Sequence, residues 1–157
     1  MSVAFRRESD EEHLEPKFEL PIPPGPNLVT PRGLALIEAR NAELEAAIAA
    51  ATPEQLPELL RDQRYWRARL ATALLAPVAS GEIVAFGTIV TIRQDGKTRT
   101  LDIVGHDESE PAAGRIAFTA PLAMALIGSE IDEEIAPPGP GGMIMVVAIE
   151  VRSAPEA

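Results

Sequence analysis

Hydrophobic residues in the first half of the chain recur at the spacing of an α-helix. From residue 34 they alternate in steps of three and four, with one polar member: Leu34, Ile37, Asn41, Leu44, Ile48 and Ala51. Just before them, Thr30 is a good helix N-cap, and Pro31 suits the first helical position because its missing N–H costs nothing there. The pattern predicts a helix that begins at Pro31, ends near Ala51 and is roughly 27 Å long.

The same spacing returns after a proline-containing break at residues 51–57. The repeating positions are Leu56, Leu59 or Leu60, Gln63, Trp66, Leu70 and Ala73 or Leu74. Amphipathic helices of this length are marginal alone, so residues 30–77 are predicted to pair as an antiparallel helical hairpin, a short coiled coil. The polar positions Asn41 and Gln63 are expected to fix its register.

Beyond Pro77 the pattern changes to alternation, and β-branched residues dominate. Two strands are predicted at residues 88–92 and 98–104, joined by a tight turn at Asp95 and Gly96. The remaining elements are a polar loop at 105–114, a short strand at 115–119, a short helix at 121–127 and a final strand at 143–151. The unbroken apolar run of that last strand predicts the centre of the sheet. The fold class is therefore α+β, with residues 78–153 as a β-rich domain.

The N-terminal segment has a different composition from the rest. Six of the fifteen prolines lie in the first 32 residues, together with a dense acidic run from Glu8 to Glu19. Such a segment buries too little apolar surface to offset its ordering entropy, so residues 1–29 are predicted to be a disordered, acidic, proline-rich tail.

Composition narrows the function classes. Cysteine is absent, which excludes disulfides and thiolate chemistry and suits the cytoplasm. A formal net charge of −10 opposes autonomous binding to nucleic acid. There is no apolar stretch long enough for an anchor, and no catalytic triad, P-loop or dinucleotide fingerprint. We therefore expect neither DNA binding by the chain alone nor a membrane location.

Three segments together resemble the Gre family of bacterial transcription elongation factors. They are residues 28–34 (LVTPRGL), 103–108 (IVGHDE) and 120–128 (APLAMALIG). The resemblance implies an FKBP-like C-terminal domain that docks on core RNA polymerase at its secondary channel, and a hairpin that enters the channel. In that family, two acids at the hairpin tip help to position a Mg²⁺ ion in the polymerase, so that the polymerase cleaves its own backtracked RNA. The chain would be a monomer without cofactor or catalytic activity of its own.

The acidic pair is the weakest part of this resemblance. Residues 65–70 (YWRARL) match the family's second helix, and counting back without a gap places the two acidic positions on Leu56 and Leu59, which cannot bind magnesium. The nearby candidates are Glu54, Glu58 and Asp62, and the alternative for them is an ordinary solvated helix face. The hairpin also looks short. In this it resembles the regulators of nucleoside diphosphate kinase, a family variant that occupies the channel without stimulating cleavage.

Two further groups of residues are candidates for partner contacts. A basic cluster is expected to touch RNA or the channel wall, unless it only pairs with Glu38, Glu43 and Glu45; its members are Arg61, Arg64, Arg67 and Arg69. The segment at Pro121, Leu122 and Met124 resembles a docking loop, and its alternative role is packing on the sheet.

Other interpretations have less support. His106, Asp107, Glu108 and Glu110 are ligand-type residues, but neighbouring acids rarely converge on one ion, and no metal site is predicted. An FKBP-like domain also suggests a prolyl isomerase, although Phe86 and Phe118 are its only aromatic residues. A third class is an adaptor whose hairpin pairs with another helix, which self-association would reveal.

Overall fold

The computed structural model describes residues 19–152. They divide into two compact units: residues 19–25 and 35–73 form the first, and residues 26–34 and 74–152 form the second. Residues 1–18, most of the predicted tail, lie outside the described part. The two units together are a mixed helix and sheet structure.

The first unit is built from two helices, α1 (Pro31–Ala49) and α2 (Leu56–Thr72). The first turn of α1 belongs to the second unit. In this turn the backbone N–H of Gly33 donates to Oγ1 of Thr30 at 3.0 Å, which confirms the prediction that Thr30 is the N-cap. Further along, the side-chain amide of Asn41 donates to the carbonyl oxygens of Ile37 (2.9 Å) and Trp66 (3.0 Å). This bond to Trp66 joins the two helices through the polar residue predicted to set their register.

The last turn of α2 departs from the predicted heptad. Leu70, the expected buried position, is 39% exposed, whereas Arg69 is only 2% exposed. The helix ends at Thr72, and the chain continues directly into strand β2 (Ala73–Leu75). The heptad pattern of buried positions therefore stops before the last turn of α2. A guanidinium group that is buried to this degree needs polar partners, and Arg69 is not without one.

The second unit contains a five-stranded sheet, whose strands are β3 (Thr88–Gln94), β4 (Lys97–Val104), β5 (Arg115–Ala117), β6 (Glu134–Ile135) and β7 (Ile144–Val151). Their order in the sheet is β5-β4-β3-β7-β6. Asp95 (φ 52°) and Gly96 (φ 75°) both take the left-handed conformation, which matches the right-handed twist of the hairpin they connect. The predicted turn is therefore confirmed. A short helix, α3 (Pro121–Leu126), follows β5.

Three sequence predictions are wrong in detail. The final strand β7 is interior, but β3 is the middle strand, because the two-residue β6 pairs with the outer side of β7. Residues 27–29, assigned to the disordered tail, form strand β1 (Asn27–Val29), which pairs with β2. Residues 30–34, assigned to the hairpin domain, group instead with the sheet unit.

The core of the second unit lies between the sheet and α3. Ala123 and Leu126 of α3 are fully buried, and they pack with residues of β3, β4, β5 and β7. The strand residues in this cluster are Val90, Ile92, Leu101, Ile103, Ile116, Ile144 and Val146. This burial fixes the orientation of α3 and so determines which of its side chains face outward. Within residues 19–152, no helix has the length and apolar character needed to cross a membrane.

Candidate functional site

A buried carboxylate holds the start of α1 in the second unit. The hydroxyl of Thr30 donates to Oε1 of Glu108, and Nη1 of Arg32 lies 3.0 Å from Oε2 of Glu108. The Glu108 side chain is 1% exposed, whereas that of Arg32 is 50% exposed. The sequence predicts a polar loop at residues 105–114, whereas Glu108 lies in a short 3-10 turn (His106–Glu108) and its side chain is buried.

Two glycines allow this close approach. A Cβ atom on Gly33 would lie 2.9 Å from Oε1 of Glu108, and one on Gly105 would lie 2.3 Å from the carbonyl oxygen of Leu28. Both distances are shorter than real Cβ contacts, so neither position accepts a side chain without movement. We call Thr30, Arg32, Gly33, Gly105 and Glu108 the α1 anchor. The α1 anchor thus joins two of the three segments that carry the family resemblance, residues 28–34 and 103–108.

Arg152 places a second positive charge beside the Glu108 carboxylate of the α1 anchor. Its Nη1 lies 3.7 Å from Oε2 of Glu108, and it also forms an ion pair with Asp102 on β4. Partial burial lowers the pKa of Arg152, and the positive charge of Arg32 lowers it further. Two carboxylates thus lie among two guanidinium groups, and the buried charge of Glu108 is compensated.

The ligand-type residues of the loop after β4 do not converge. Glu108 belongs to the α1 anchor, Glu110 forms an ion pair with Arg115, and Nε2 of His106 lies 3.0 Å from Oγ1 of Thr119. Across residues 19–152, no group of three or more metal-binding side chains is arranged to hold an ion.

The acids near the hairpin tip have unequal surroundings. Glu54 is exposed in the loop between the helices. Glu58 is 72% exposed with Oε1 3.8 Å from Nη2 of Arg61, and Asp62 is 20% exposed with Oδ1 3.2 Å from the same nitrogen. One guanidinium therefore lies beside both α2 acids and offsets their charge.

The four arginines of the basic cluster have different roles. Arg61 is largely covered, and Arg64 is directed outward and pairs with Glu19: its Nε lies 2.8 Å from Oε2, and its Nη2 lies 2.8 Å from Oε1. This hydrogen-bonded guanidinium lowers the pKa of the Glu19 carboxyl group. Arg67 is exposed, whereas the side chain of Arg69 is buried. Contact of this cluster with RNA or the channel wall stays a prediction, and of its members Arg64 and Arg67 have the most exposed side chains.

Ion pairing across the hairpin was the alternative role considered for the basic cluster, and Glu43 and Arg64 have other partners. Glu43 pairs with Arg40 one turn earlier on α1, at 3.2 Å. Arg64 pairs instead with Glu19, which lies 45 residues earlier in the sequence. The sequence predicts Glu19 only as part of the acidic tail, because the local pattern carries no signal of a partner so distant.

Helix α3 presents part of its surface outward. Leu122 packs against the core, which is the alternative role considered for this segment, whereas Pro121 is exposed and Met124 is 65% exposed. Ile127, directly after the helix, is 40% exposed. Met124 and Ile127 are three residues apart in sequence and add apolar surface at this end of the sheet unit.

Comparison with known proteins agrees with the resemblance seen in the sequence. Residues 79–153 match the family described as transcription elongation factor, GreA/GreB, C-terminal domain. Residues 79–153 are therefore similar to the C-terminal domain of GreA/GreB elongation factors, and the resemblance to the Gre family seen in the sequence is confirmed for this part of the chain.

The related proteins include transcription elongation factor GreA from Legionella pneumophila (strain Corby), which is 39% identical over 71 residues, covering 44% of each chain. GreA from Thermomicrobium roseum is 40% identical over 70 residues, covering 45% of each. The matched region therefore spans less than half the length of these relatives.

Solved structures with some likeness include the GreA factor homolog Gfh1 of Thermus thermophilus. It is 17% identical with a TM-score of 0.40, covering 80% of this chain and 99% of that one. A GreA/GreB factor from Nitrosomonas europaea is 21% identical with a TM-score of 0.40, covering 78% and 98%.

Proposed function

We propose that this protein binds core RNA polymerase at the secondary channel and regulates elongation, with residues 78–152 as an FKBP-like docking domain and α1 and α2 as a coiled-coil arm. The observation that carries the proposal is the family match over residues 79–153. The α1 anchor supports it, because Thr30 and Glu108 fix the first turn of α1 to the docking domain. The protein acts as a cytoplasmic monomer, without catalytic activity or a cofactor of its own.

Helix α3 supplies the docking contact in this proposal. Its inner residues, Ala123 and Leu126, are committed to the core, so the helix is rigidly held. Pro121 and Met124 face outward and are available to a partner, with Leu122 supporting them from beneath. An exposed methionine on a rigid support adapts well to an apolar pocket on another protein.

Met124→Glu is expected to weaken binding to core polymerase by about tenfold or more, because a charge would replace an apolar contact at the centre of the docking surface. Binding is measured by fluorescence anisotropy of the labelled protein. Met143→Glu is the matched control, since Met143 is also an exposed methionine (52%) but lies before β7, outside α3. Equal weakening by both changes would argue against α3 as the contact.

We further propose that the arm occupies the channel without stimulating RNA cleavage, as the short-armed family variants do. Leu56 and Leu59 stand where the resemblance places the two acids. Of the candidates that remain, Glu58 and Asp62 both lie beside Arg61, whose positive charge opposes binding of a cation. Glu54 alone cannot replace a pair of carboxylates that together help to position Mg²⁺.

The test uses stalled, backtracked polymerase complexes. Added protein is expected to bind them, to leave the rate of RNA cleavage unchanged and to lower the rate obtained with a cleavage-stimulating factor by competing for the channel. The double variant Glu54→Ala, Glu58→Ala should behave in the same way. Stimulation by the original protein that disappears in the double variant would instead identify a working cleavage factor with a displaced acidic pair that helps to position Mg²⁺.

A further inference from the structure

The β3–β4 hairpin carries basic side chains that have no acidic partner. The basic residues of the second unit divide into two groups of equal size. The members of one group form ion pairs with acids and are Arg32, Arg115 and Arg152. The members of the other group are exposed, and within residues 19–152 no carboxylate lies at ion-pair distance from them; they are Arg93, Lys97 and Arg99. The unpaired positive charge of this unit is therefore concentrated on one hairpin.

These three cations lie on opposite faces of the sheet. Arg99 lies directly opposite Ile92 on β3, whereas Arg93 lies opposite Thr98 on β4. Ile92 is buried in the core, so Arg99 lies on the core side of the sheet, and so does Lys97, two residues before it. Arg93 lies on the other side and belongs to β3, the middle strand. Lys97 and Arg99 thus form a pair from which Arg93 is separate.

The first half of β4 has an open edge. β5 pairs with β4 only at residues 102–104, so residues 97–101 have no strand beside them on that side. On the same side, the N–H of Asp102 donates to the carbonyl oxygen of Gly114 at 2.8 Å. Because the direction of the backbone groups alternates along a strand, those of Thr98 and Thr100 also face this side. Gly114 lies close to the carbonyl oxygen of Thr100, so the open part ends there. We call residues 97–100 the β4 edge.

The charges on the β4 edge select which strand it admits. Lysine and arginine on an exposed edge keep copies of the same protein apart, because pairing two such edges brings like charges together. The same charges favour a strand that places carboxylates opposite Lys97 and Arg99. The net charge of −10 repels such a strand at a distance, but salt screens charges beyond about 8 Å, so the contacts at the edge decide. An edge that excludes its own copy and accepts an acidic strand is selective.

We propose that the β4 edge binds an extended acidic segment of a partner protein, which adds to the sheet as a further strand. The backbone of Thr98 and Thr100 provides the hydrogen bonds, and Lys97 and Arg99 pair with carboxylates at alternate positions of the segment. A peptide backbone can both donate and accept at this edge, whereas the phosphates of RNA only accept.

This surface is separate from the contacts of the proposed function. Lys97 begins β4, and the α1 anchor follows the last residue of that strand, so the two are roughly 20 Å apart. The residues of the β4 edge are exposed and belong neither to α3 nor to the core. Changes at this edge are therefore expected to leave the fold and the α1 anchor intact.

Strand addition is tested by NMR titration of the isotope-labelled full-length protein. The probe is a short peptide of alternating glutamate and valine with blocked ends. It should give saturable shifts of the Thr98 and Thr100 amides and leave the Gly33 amide unchanged. The same peptide with methylated backbone nitrogens keeps its charges and loses its donors, so it should bind at least about fivefold more weakly. Equal binding of the two peptides would overturn the proposal.

Two variants with the same change of charge separate the edge from the hairpin as a whole. Arg99→Glu is expected to weaken binding of the unmethylated peptide at least about fivefold, because a carboxylate would then face a carboxylate. Arg93→Glu is the control, since Arg93 is also exposed and unpaired but lies on the middle strand and the other face; it should weaken binding less than about twofold. Equal weakening by both would show a general charge effect and contradict a specific edge.

A single-stranded RNA oligonucleotide tests the other source of negative charge. It is expected to shift the Thr98 and Thr100 amides less than the peptide does at the same concentration. Larger shifts with RNA would mean that the hairpin is a surface for phosphates and would overturn strand addition. All these titrations use the protein without polymerase. A failure to bind polymerase would therefore refute the proposed function and leave the β4 edge to be judged by its own results.

Discussion

Glu108→Ala is expected to destabilise the second unit by about 2–3 kcal/mol. The change removes the acceptor of the buried Thr30 hydroxyl, and an unsatisfied buried polar group costs about 1–3 kcal/mol. The change also removes the negative charge that compensates the positive charge of Arg32. Breaking a fully buried ion pair costs about 3–5 kcal/mol, but Arg32 is half exposed and can turn to water, so the lower range applies. Urea denaturation followed by far-UV circular dichroism measures the loss.

Glu110→Ala is the matched control for this prediction. Glu110 lies in the same loop and also forms an ion pair with an arginine, Arg115, but its side chain is 60% exposed. Exposed pairs contribute between about 0 and 1 kcal/mol, so the control should change stability by less than half as much. Hydrogen exchange adds a local measurement, because loss of Glu108 should reduce protection of the Gly33 amide, which bonds to Thr30. Equal destabilisation by both variants would show that burial of Glu108 has no special role.

The elements that could be predicted from the sequence are those with a local physical cause. The start of α1 follows from the capping chemistry of Thr30 and Pro31, and the β3–β4 turn follows from the left-handed preference of Asp95-Gly96. Helix α3 begins at Pro121 for the same reason as α1 begins at Pro31. Strands β1, β2 and β6 have only two or three residues, which is too short for alternation to be recognised, so their formation depends on pairing with distant partners.

The candidate site shows the same division between local and distant causes. The outward position of Met124 agrees with its predicted docking role, although docking itself stays a prediction. Glu108 was not predicted, because glutamate is rarely buried and its partner Thr30 is 78 residues away. One signal was present in the sequence: a glycine and a hydrogen-bonding residue occur together in both segments that form the α1 anchor. Gly33 leaves room for the carboxylate of Glu108, and Gly105 leaves room for the carbonyl oxygen of Leu28, which explains why both positions are glycine.

Gly105→Ala is expected to destabilise the second unit by about 3 kcal/mol. The added Cβ would lie 2.3 Å from the carbonyl oxygen of Leu28, and this atom belongs to strand β1, whose backbone cannot move without disturbing its pairing with β2. Overpacking a well-packed interior costs typically about 1–3 kcal/mol, and contact with backbone places this substitution at the upper end. The φ angle of Gly105 is −77°, which alanine adopts readily, so the expected loss comes from the steric overlap alone.

Gly139→Ala separates this overlap from the general effect of replacing a glycine. A Cβ atom on Gly139 would meet nothing within 4 Å, and its φ lies outside the left-handed region, so stability should change by less than about 0.5 kcal/mol. Urea denaturation of the two variants provides the comparison. Comparable stability of both proteins would mean that β1 and residues 103–108 do not approach as closely as the α1 anchor requires. A loss confined to Gly105→Ala would establish that the first turn of α1 is held by direct backbone packing as well as by the buried charge of Glu108.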